Sequence, residues 1–210
     1  MALLLRVYED SPSPKHIKRI AEVLRDGGIV IYPTDTIYAI GCDLLNLKAI
    51  DRLARIKGIR KEEAKFSFIC HDLSQLSSYT KPIRNEVFRL MRSLLPGPYT
   101  FILEASNNVP KIVQRKRSQV GIRIPANAIA RAIVEELGHP VMSTSVHDPD
   151  EVIEYTTDPE LIYEKFGDLV DIVVDGGFGD NQPSTILDCT AEEVVVLREG
   201  KGPVDDLLLD

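Results

Sequence analysis

Cysteine is scarce in this chain, and the three present, Cys42, Cys70 and Cys189, are widely scattered. An odd, dispersed set forms neither a disulfide framework nor a zinc motif, so they read as small buried hydrophobes in a protein of a reducing cytoplasm. Long apolar runs are missing too. No window approaches the ~18 consecutive apolar residues of a membrane span. The opening Met-Ala-Leu-Leu-Leu-Arg-Val-Tyr runs into charge too soon to act as a secretory signal. Excess positive charge is also lacking: 25 Lys and Arg against 32 Asp and Glu leave a net charge of −7. That balance argues against a protein that coats nucleic acid non-specifically. The usual nucleotide fingerprints are absent, with no Gly-x-x-x-x-Gly-Lys-Ser/Thr loop and no Gly-x-Gly-x-x-Gly after a strand. No Gly-x-Ser-x-Gly elbow surrounds Ser143 or Ser145, which makes them poor acyl-transfer nucleophiles. His71 and His147 stand alone, without the grouped ligands of a metal site.

What remains is a chain of 210 residues, 44% hydrophobic and 27% charged, suited to one compact domain. No repeat, low-complexity run or linker divides it. Ser13-Pro14 is a helix start, followed by Ile17, Ile20, Ala21 and Leu24 at helical spacing and closed by Gly27-Gly28. A strand at 29–32 is stopped by Pro33, which lacks an amide hydrogen and extends the residue before it. Asn46 caps a second helix ending near Lys57-Gly58, and Asp72 opens a short one. An amphipathic helix covers 83–95 and another covers 128–137. Further strands are predicted at 66–70, 99–104, 119–124, 140–143, 170–174, 185–187 and 194–197, while 146–160 shows no periodicity. Helices alternating with these strands predict an α/β or α+β domain on a twisted mixed sheet.

The stretch Tyr-Pro-Thr-Asp-Thr-Ile-Tyr at 32–38 gathers Thr34, Asp35, Thr36 and Tyr38 where a strand ends, a usual place for ligand sites in open α/β sheets. An ordinary Asp/Thr turn that satisfies its own backbone accounts for the same residues. Other strand ends carry Arg123, Ser143, Ser145, Ser184 and Arg198. Hydroxyls and arginines with little histidine or catalytic carboxylate point to an anion, most simply phosphate. Arg123 lies among apolar residues, where an uncompensated charge is costly, which favours a cavity role. Lys57, near a helix C-terminus, fits either a phosphate contact or the helix dipole. Residues 111–131 carry Lys111, Arg115, Lys116, Arg117, Arg123 and Arg131 and no acid. Such a patch reads as solvated surface or as a contact for phosphate or RNA.

Several motifs in order resemble the YrdC family: Pro33-Thr34-Asp35-Thr36-Ile37-Tyr38 with Gly41, Lys57, Leu95-Pro96-Gly97-Pro98-Tyr99-Thr100, Arg123-Ile124-Pro125, Ser143-Thr144-Ser145 and Pro183-Ser184-Thr185. Phe66-Ser-Phe-Ile-Cys, Phe88-Arg-Leu-Met and Arg198-Glu-Gly are similar to its YciO branch. The resemblance spans residues 5–200 and leaves 201–210 as a short C-terminal tail. It implies a YrdC/RibB-like fold around a positively charged cavity. The reaction it implies turns L-threonine, bicarbonate and ATP, with Mg2+, into threonylcarbamoyl-adenylate and pyrophosphate for the t6A modification of tRNA. Under the same resemblance Lys57 and Arg60 are the catalytic pair, and Thr34, Thr36, Tyr38 and His71 match the threonine pocket. Arg123, Ser143, Ser145, Ser184 and Arg198 match the nucleotide side, and tRNA or double-stranded RNA is a further partner.

Two departures stand out. The synthases' Lys-x-Arg-Pro is here Lys57-Gly58-Ile59-Arg60, and their Ser-x-Asn is Ser145-Val146-His147. Both fall on the ATP side. They leave two main readings, a synthase-type enzyme and a YciO-type RNA-binding protein with weak or no synthase activity. A third reading is an adenylating enzyme for another small acid.

Overall fold

The computed structural model describes residues 1–59, 66–110, 118–146 and 157–204. Ten strands among them form one mixed sheet: β1 (Leu3–Arg6), β2 (Val30–Tyr32), β3 (Ala39–Asp43), β4 (Ser67–Ile69), β5 (Tyr99–Glu104), β6 (Gln119–Arg123), β7 (Val141–Ser145), β8 (Ile172–Asp175), β9 (Thr185–Asp188) and β10 (Val195–Arg198). Their order across the sheet is β1-β8-β2-β3-β7-β4-β6-β5-β9-β10. The helices are α1 (Pro14–Arg25), α2 (Leu47–Ile56), α3 (Leu73–Ser77), α4 (Asn85–Leu94), α5 (Ala128–Leu137) and α6 (Pro159–Phe166).

Local chemistry accounts for most boundaries. Asn46 accepts from the Ala49 amide to start α2, Asp72 accepts from Gln75 to start α3, and Asn127 accepts from Ala130 to start α5. Gly138, at φ 87°, ends α5 in the left-handed region that glycine enters at no steric cost. Ser13 precedes α1 without a side-chain cap bond, so the pre-set backbone of Pro14 marks that start.

Three elements go beyond the sequence reading. β1 lies at the sheet edge, parallel to β8. β3 is buried along all five residues and so shows no alternation of buried and exposed positions. α6 lies in the acidic segment that shows no helical period, yet Asp158 caps it and Pro159 takes its first turn. The strand predicted over 140–143 runs on to Ser145, because β7 pairs with β3 along its whole length.

Alternate side chains divide between two cores. Val30, Tyr32, Ile172 and Val174 face one way and pack with α1 and α5. Ile31, Ile40, Val173, Phe68 and Met142 face the other, with α2, Val87 and Met91 of α4, and α6. The α1 and α5 face does not stay covered. Register places Ala39 opposite Ser145, Gly41 opposite Ser143, Ser143 opposite Ser67 and Ser67 opposite Gly121. A row of alanine, glycine and serine therefore crosses four adjacent strands and leaves a hollow where larger side chains would have formed core. Within that row a Cβ on Gly41 would lie 2.7 Å from Val141 Cγ1. The C-terminal tail belongs to the packed structure as far as it is described: Thr185 Oγ1 donates to Gly202 O at 2.6 Å and Tyr99 Oη to Pro203 O at 2.9 Å.

Candidate functional site

The hollow is a cavity of about 520 Å³ whose lining comes from β3, β4, β5, β6, β7, β9 and β10, seven neighbouring strands. Laid flat, six inter-strand spacings would cover roughly 29 Å. One cavity of this size touches all seven strands because the sheet curls around it. Its polar lining is Thr36, Ser67, Thr100, Ser143, Thr144, Ser145 and Ser184, and its charged lining is Arg123 and Arg198. No carboxylate is in the lining among the described residues.

Arg123 closes β6. Its Nη2 donates to Asp35 Oδ1 at 2.8 Å and to Thr36 Oγ1 at 2.9 Å. Asp35 stands behind it, with its other oxygen accepting from the Ala126 amide at 3.0 Å. Burial lowers the guanidinium's pKa, and the Asp35 carboxylate works against that shift. Arg123 Nε is buried with no partner among the described residues. Arg198 folds back on the Ser184 carbonyl, with Nε at 3.1 Å and Nη2 at 2.7 Å. Its pKa is lowered by burial and then by the positive charge of Arg123. Two like charges share one wall, and among the described residues Asp35 is the carboxylate paired with Arg123.

The hydroxyls are ordered by what each can donate. Thr34 Oγ1 gives its one proton to Ile37 O at 2.8 Å and accepts from the Thr36 amide at 3.0 Å. The 3.1 Å bond between the two threonines must therefore run from Thr36 to Thr34, and Thr36 receives from Arg123. Likewise Tyr32 Oη donates to Ser143 Oγ at 2.8 Å, and Ser143 donates to Ile40 O at 3.2 Å. Ser143 has no proton left for the cavity and offers it only a lone pair. Burial pushes the Tyr32 phenol well above its usual range, which keeps it a donor.

Of the residues singled out in the sequence, Thr36, Arg123, Ser143, Ser145, Ser184 and Arg198 come together in this cavity. Thr34 lines a second, outer cavity of about 570 Å³ on the far side of the same loop. Tyr38 is fully buried behind that loop, donating to Gly177 O at 2.6 Å and accepting from the Gly176 amide at 3.1 Å. Lys57 is the C-cap of α2 and donates to Val146 O at 3.3 Å, one residue beyond Ser145. His71 follows β4, with Nε2 3.4 Å from Asp72 Oδ2 and a buried Nδ1 that makes no bond among the described residues. Neither Lys57 nor His71 is in the lining. Arg60, His147 and the cluster Lys111 to Arg117 lie outside the described residues. Ser67 and Thr100 join the lining without a mark in the sequence that points to a site, Ser67 standing in an apolar context. Asp35 belongs to the Thr34–Tyr38 loop, and the structure adds its pairing with Arg123.

A concave α/β sheet carrying two arginines and a belt of hydroxyls is an arrangement with the donors to hold an anion. The chain belongs to the Sua5/YciO/YrdC family, whose model, described as "Telomere recombination", matches residues 22–200. The YciO protein of Escherichia coli K12, described as uncharacterized, is 39% identical over 210 residues, covering 99% of this chain and all of that one. Its crystal structure superposes with a TM-score of 0.91 over 99% of this chain and all of that chain, at 38% identity. A threonylcarbamoyl-AMP synthase of Methylobacillus flagellatus is 30% identical over 178 residues, 85% of this chain and 97% of that protein. The crystal structure of P. abyssi Sua5 complexed with L-threonine matches with a TM-score of 0.88 and 26% identity, over 98% of this chain and 60% of that chain.

Proposed function

We propose that the inner cavity binds the phosphates of ATP beside a small amino acid, and that the protein catalyses a reaction of the threonylcarbamoyl-AMP synthase type. The observation that carries this reading is the shared wall of Arg123 and Arg198, with, among the described residues, an unfilled N–H on Arg123 and no carboxylate in the lining. In the proposed reaction the amine of L-threonine combines with bicarbonate, losing water, to give a carbamate. A carbamate oxygen then attacks the α-phosphorus and pyrophosphate leaves. Such a displacement needs alignment and charge stabilisation more than covalent help. Arg123 and Arg198 would bear the charge accumulating on the leaving pyrophosphate. Ser145 and Ser184 would align the phosphates and ribose, with Lys57 and Arg60 in the catalytic roles that the family pattern gives them. Thr36 and the loop held by Thr34 and Tyr38 would form the amino-acid side, with His71 beside it. Among the described residues no group of three or more His, Cys, Asp and Glu could hold a metal ion. Magnesium would therefore arrive on the phosphate oxygens and its own waters.

Pyrophosphate release from ATP, bicarbonate and magnesium, with and without L-threonine, tests this directly. Threonine-dependent release that falls at least tenfold in Arg198→Gln is the expected result. Release no greater than background in the unaltered protein sinks the reading.

A second reading is favoured by the full-length likeness to YciO, at higher identity than to the synthase above. Here the cavity no longer turns over and the protein binds tRNA or double-stranded RNA. Affinity for a duplex RNA should then fall steeply with salt, by roughly one logarithmic unit for each phosphate contact per tenfold increase.

A further inference from the structure

The sequence places Lys201 in a tail beyond the domain, but the fold puts its ammonium where three loops meet. Lys201 Nζ donates to Asp35 O at 2.7 Å and pairs with Asp180 Oδ2 at 2.8 Å. The Asp180 amide in turn donates to Thr36 O at 3.3 Å. The tail backbone is seated as firmly. Lys201 N donates to Pro183 O at 2.8 Å and Gly200 N to Thr185 Oγ1 at 3.0 Å. A Cβ on Gly200 would fall 2.2 Å from Pro183 O, and one on Gly202 would fall 2.5 Å from the Tyr99 ring. The two flanking glycines are thus required by close approach, and they fix the point from which the lysine reaches out.

We infer that Lys201 is a positioning residue: by holding the backbone of Asp35 it sets the Asp35 carboxylate, and through it the Arg123 guanidinium, on the wall of the inner cavity. The chain of contacts has no gap. Lys201 fixes Asp35 O, Asp35 Oδ1 fixes Arg123 Nη2, and Thr36, tied to Asp180, takes the other bond of that nitrogen. Lys201 itself lines the outer cavity and not the inner one. It therefore acts on an inner ligand through Arg123. The inference rests on the proposed reading of the inner cavity as an anion site.

The test is calorimetric titration of the full-length protein with inorganic pyrophosphate at fixed ionic strength, with melting curves confirming the fold. Lys201→Met should weaken pyrophosphate binding about three- to tenfold, the scale of losing one charge-assisted bond and one half-exposed ion pair. Lys201→Arg, which keeps donors for both partners, should recover most of that loss. In an Arg123→Gln background, Lys201→Met should cost less than about twofold, because the contact it works through is gone. A merely structural lysine would lower the melting temperature and leave affinity unchanged, which overturns the inference. So does an equal loss in both backgrounds, the sign of direct or long-range attraction. If the unaltered protein binds neither pyrophosphate nor ATP, the anion-site reading itself fails and takes the inference with it.

Discussion

Asp35→Asn should move stability and anion affinity in opposite directions. The Asp35 and Arg123 side chains are only 8% and 11% exposed, so their 2.8 Å pair lies in the interior. Asparagine keeps an oxygen for Arg123 but removes the charge that offsets it, and turns an N–H towards the Ala126 amide. Removing one partner of a buried pair costs about 3 kcal/mol, since the guanidinium stays charged. For a chain of this length that lowers the melting temperature by roughly 6–12 °C. The same change deletes the carboxylate that stands behind the cavity wall and competes with any anion for Arg123. At an effective dielectric near 20, with screening, about 1 kcal/mol returns to the ligand, roughly a fivefold gain in pyrophosphate affinity. Saturating pyrophosphate should then raise the variant's melting temperature more than the parent's. Thermal unfolding by circular dichroism, alone and with pyrophosphate, reads both effects. A stability loss under 1 kcal/mol would refute the buried pair. A parallel loss of affinity would refute the competition argument.

Tyr32→Phe removes the proton that Tyr32 gives to Ser143 and should cost about 1 kcal/mol in chemical denaturation; an unchanged midpoint would mean the relay is not formed. Gly200→Ala sets a methyl group against Pro183 O, and differential scanning calorimetry should show at least about 2 kcal/mol lost as the tail shifts. The bond from Lys201 holds the Asp180 carboxyl below its usual value, so its stabilisation is full above about pH 4 and fades as pH falls through the lower, folded value. The stability gap between the parent and Lys201→Met, under about 1 kcal/mol for so exposed a pair, should be constant at neutral pH and narrow below pH 4 in urea titrations. Burial drives the Cys42 and Cys70 thiols far up and pushes Cys189 to about 12, so a disulfide reagent at pH 8 should label the protein only after unfolding.

The legible parts of the fold were those whose cause is local. Pro33 ends β2, Asn46 and Asp72 cap their helices, and Gly138 stops α5, all within a few residues of the boundary they set. β3 was hidden because burial at all five positions erases the two-residue alternation by which a strand is recognised. α6 was missed although Asp158-Pro159 repeats the start signal seen at Ser13-Pro14, since acidic residues mask its short apolar face. In the site, six residues read from strand ends do meet in one cavity. Asp35, Ser67 and Lys201 depend on register and on contacts across as many as 166 positions, and no local pattern encodes those.

The two hydroxyl relays have one more consequence. Each ends on a backbone carbonyl, Ile37 O or Ile40 O, that has no proton to give back. Neither relay can therefore reverse its direction when a ligand arrives, as loosely held water or a free serine would. The dipoles along this wall are frozen by the fold before binding, and little reorganisation energy is left for the ligand to supply. Selectivity at Ser143 then follows from polarity as much as from shape: a ligand group that brings a proton is welcomed there, and one that brings only lone pairs meets repulsion.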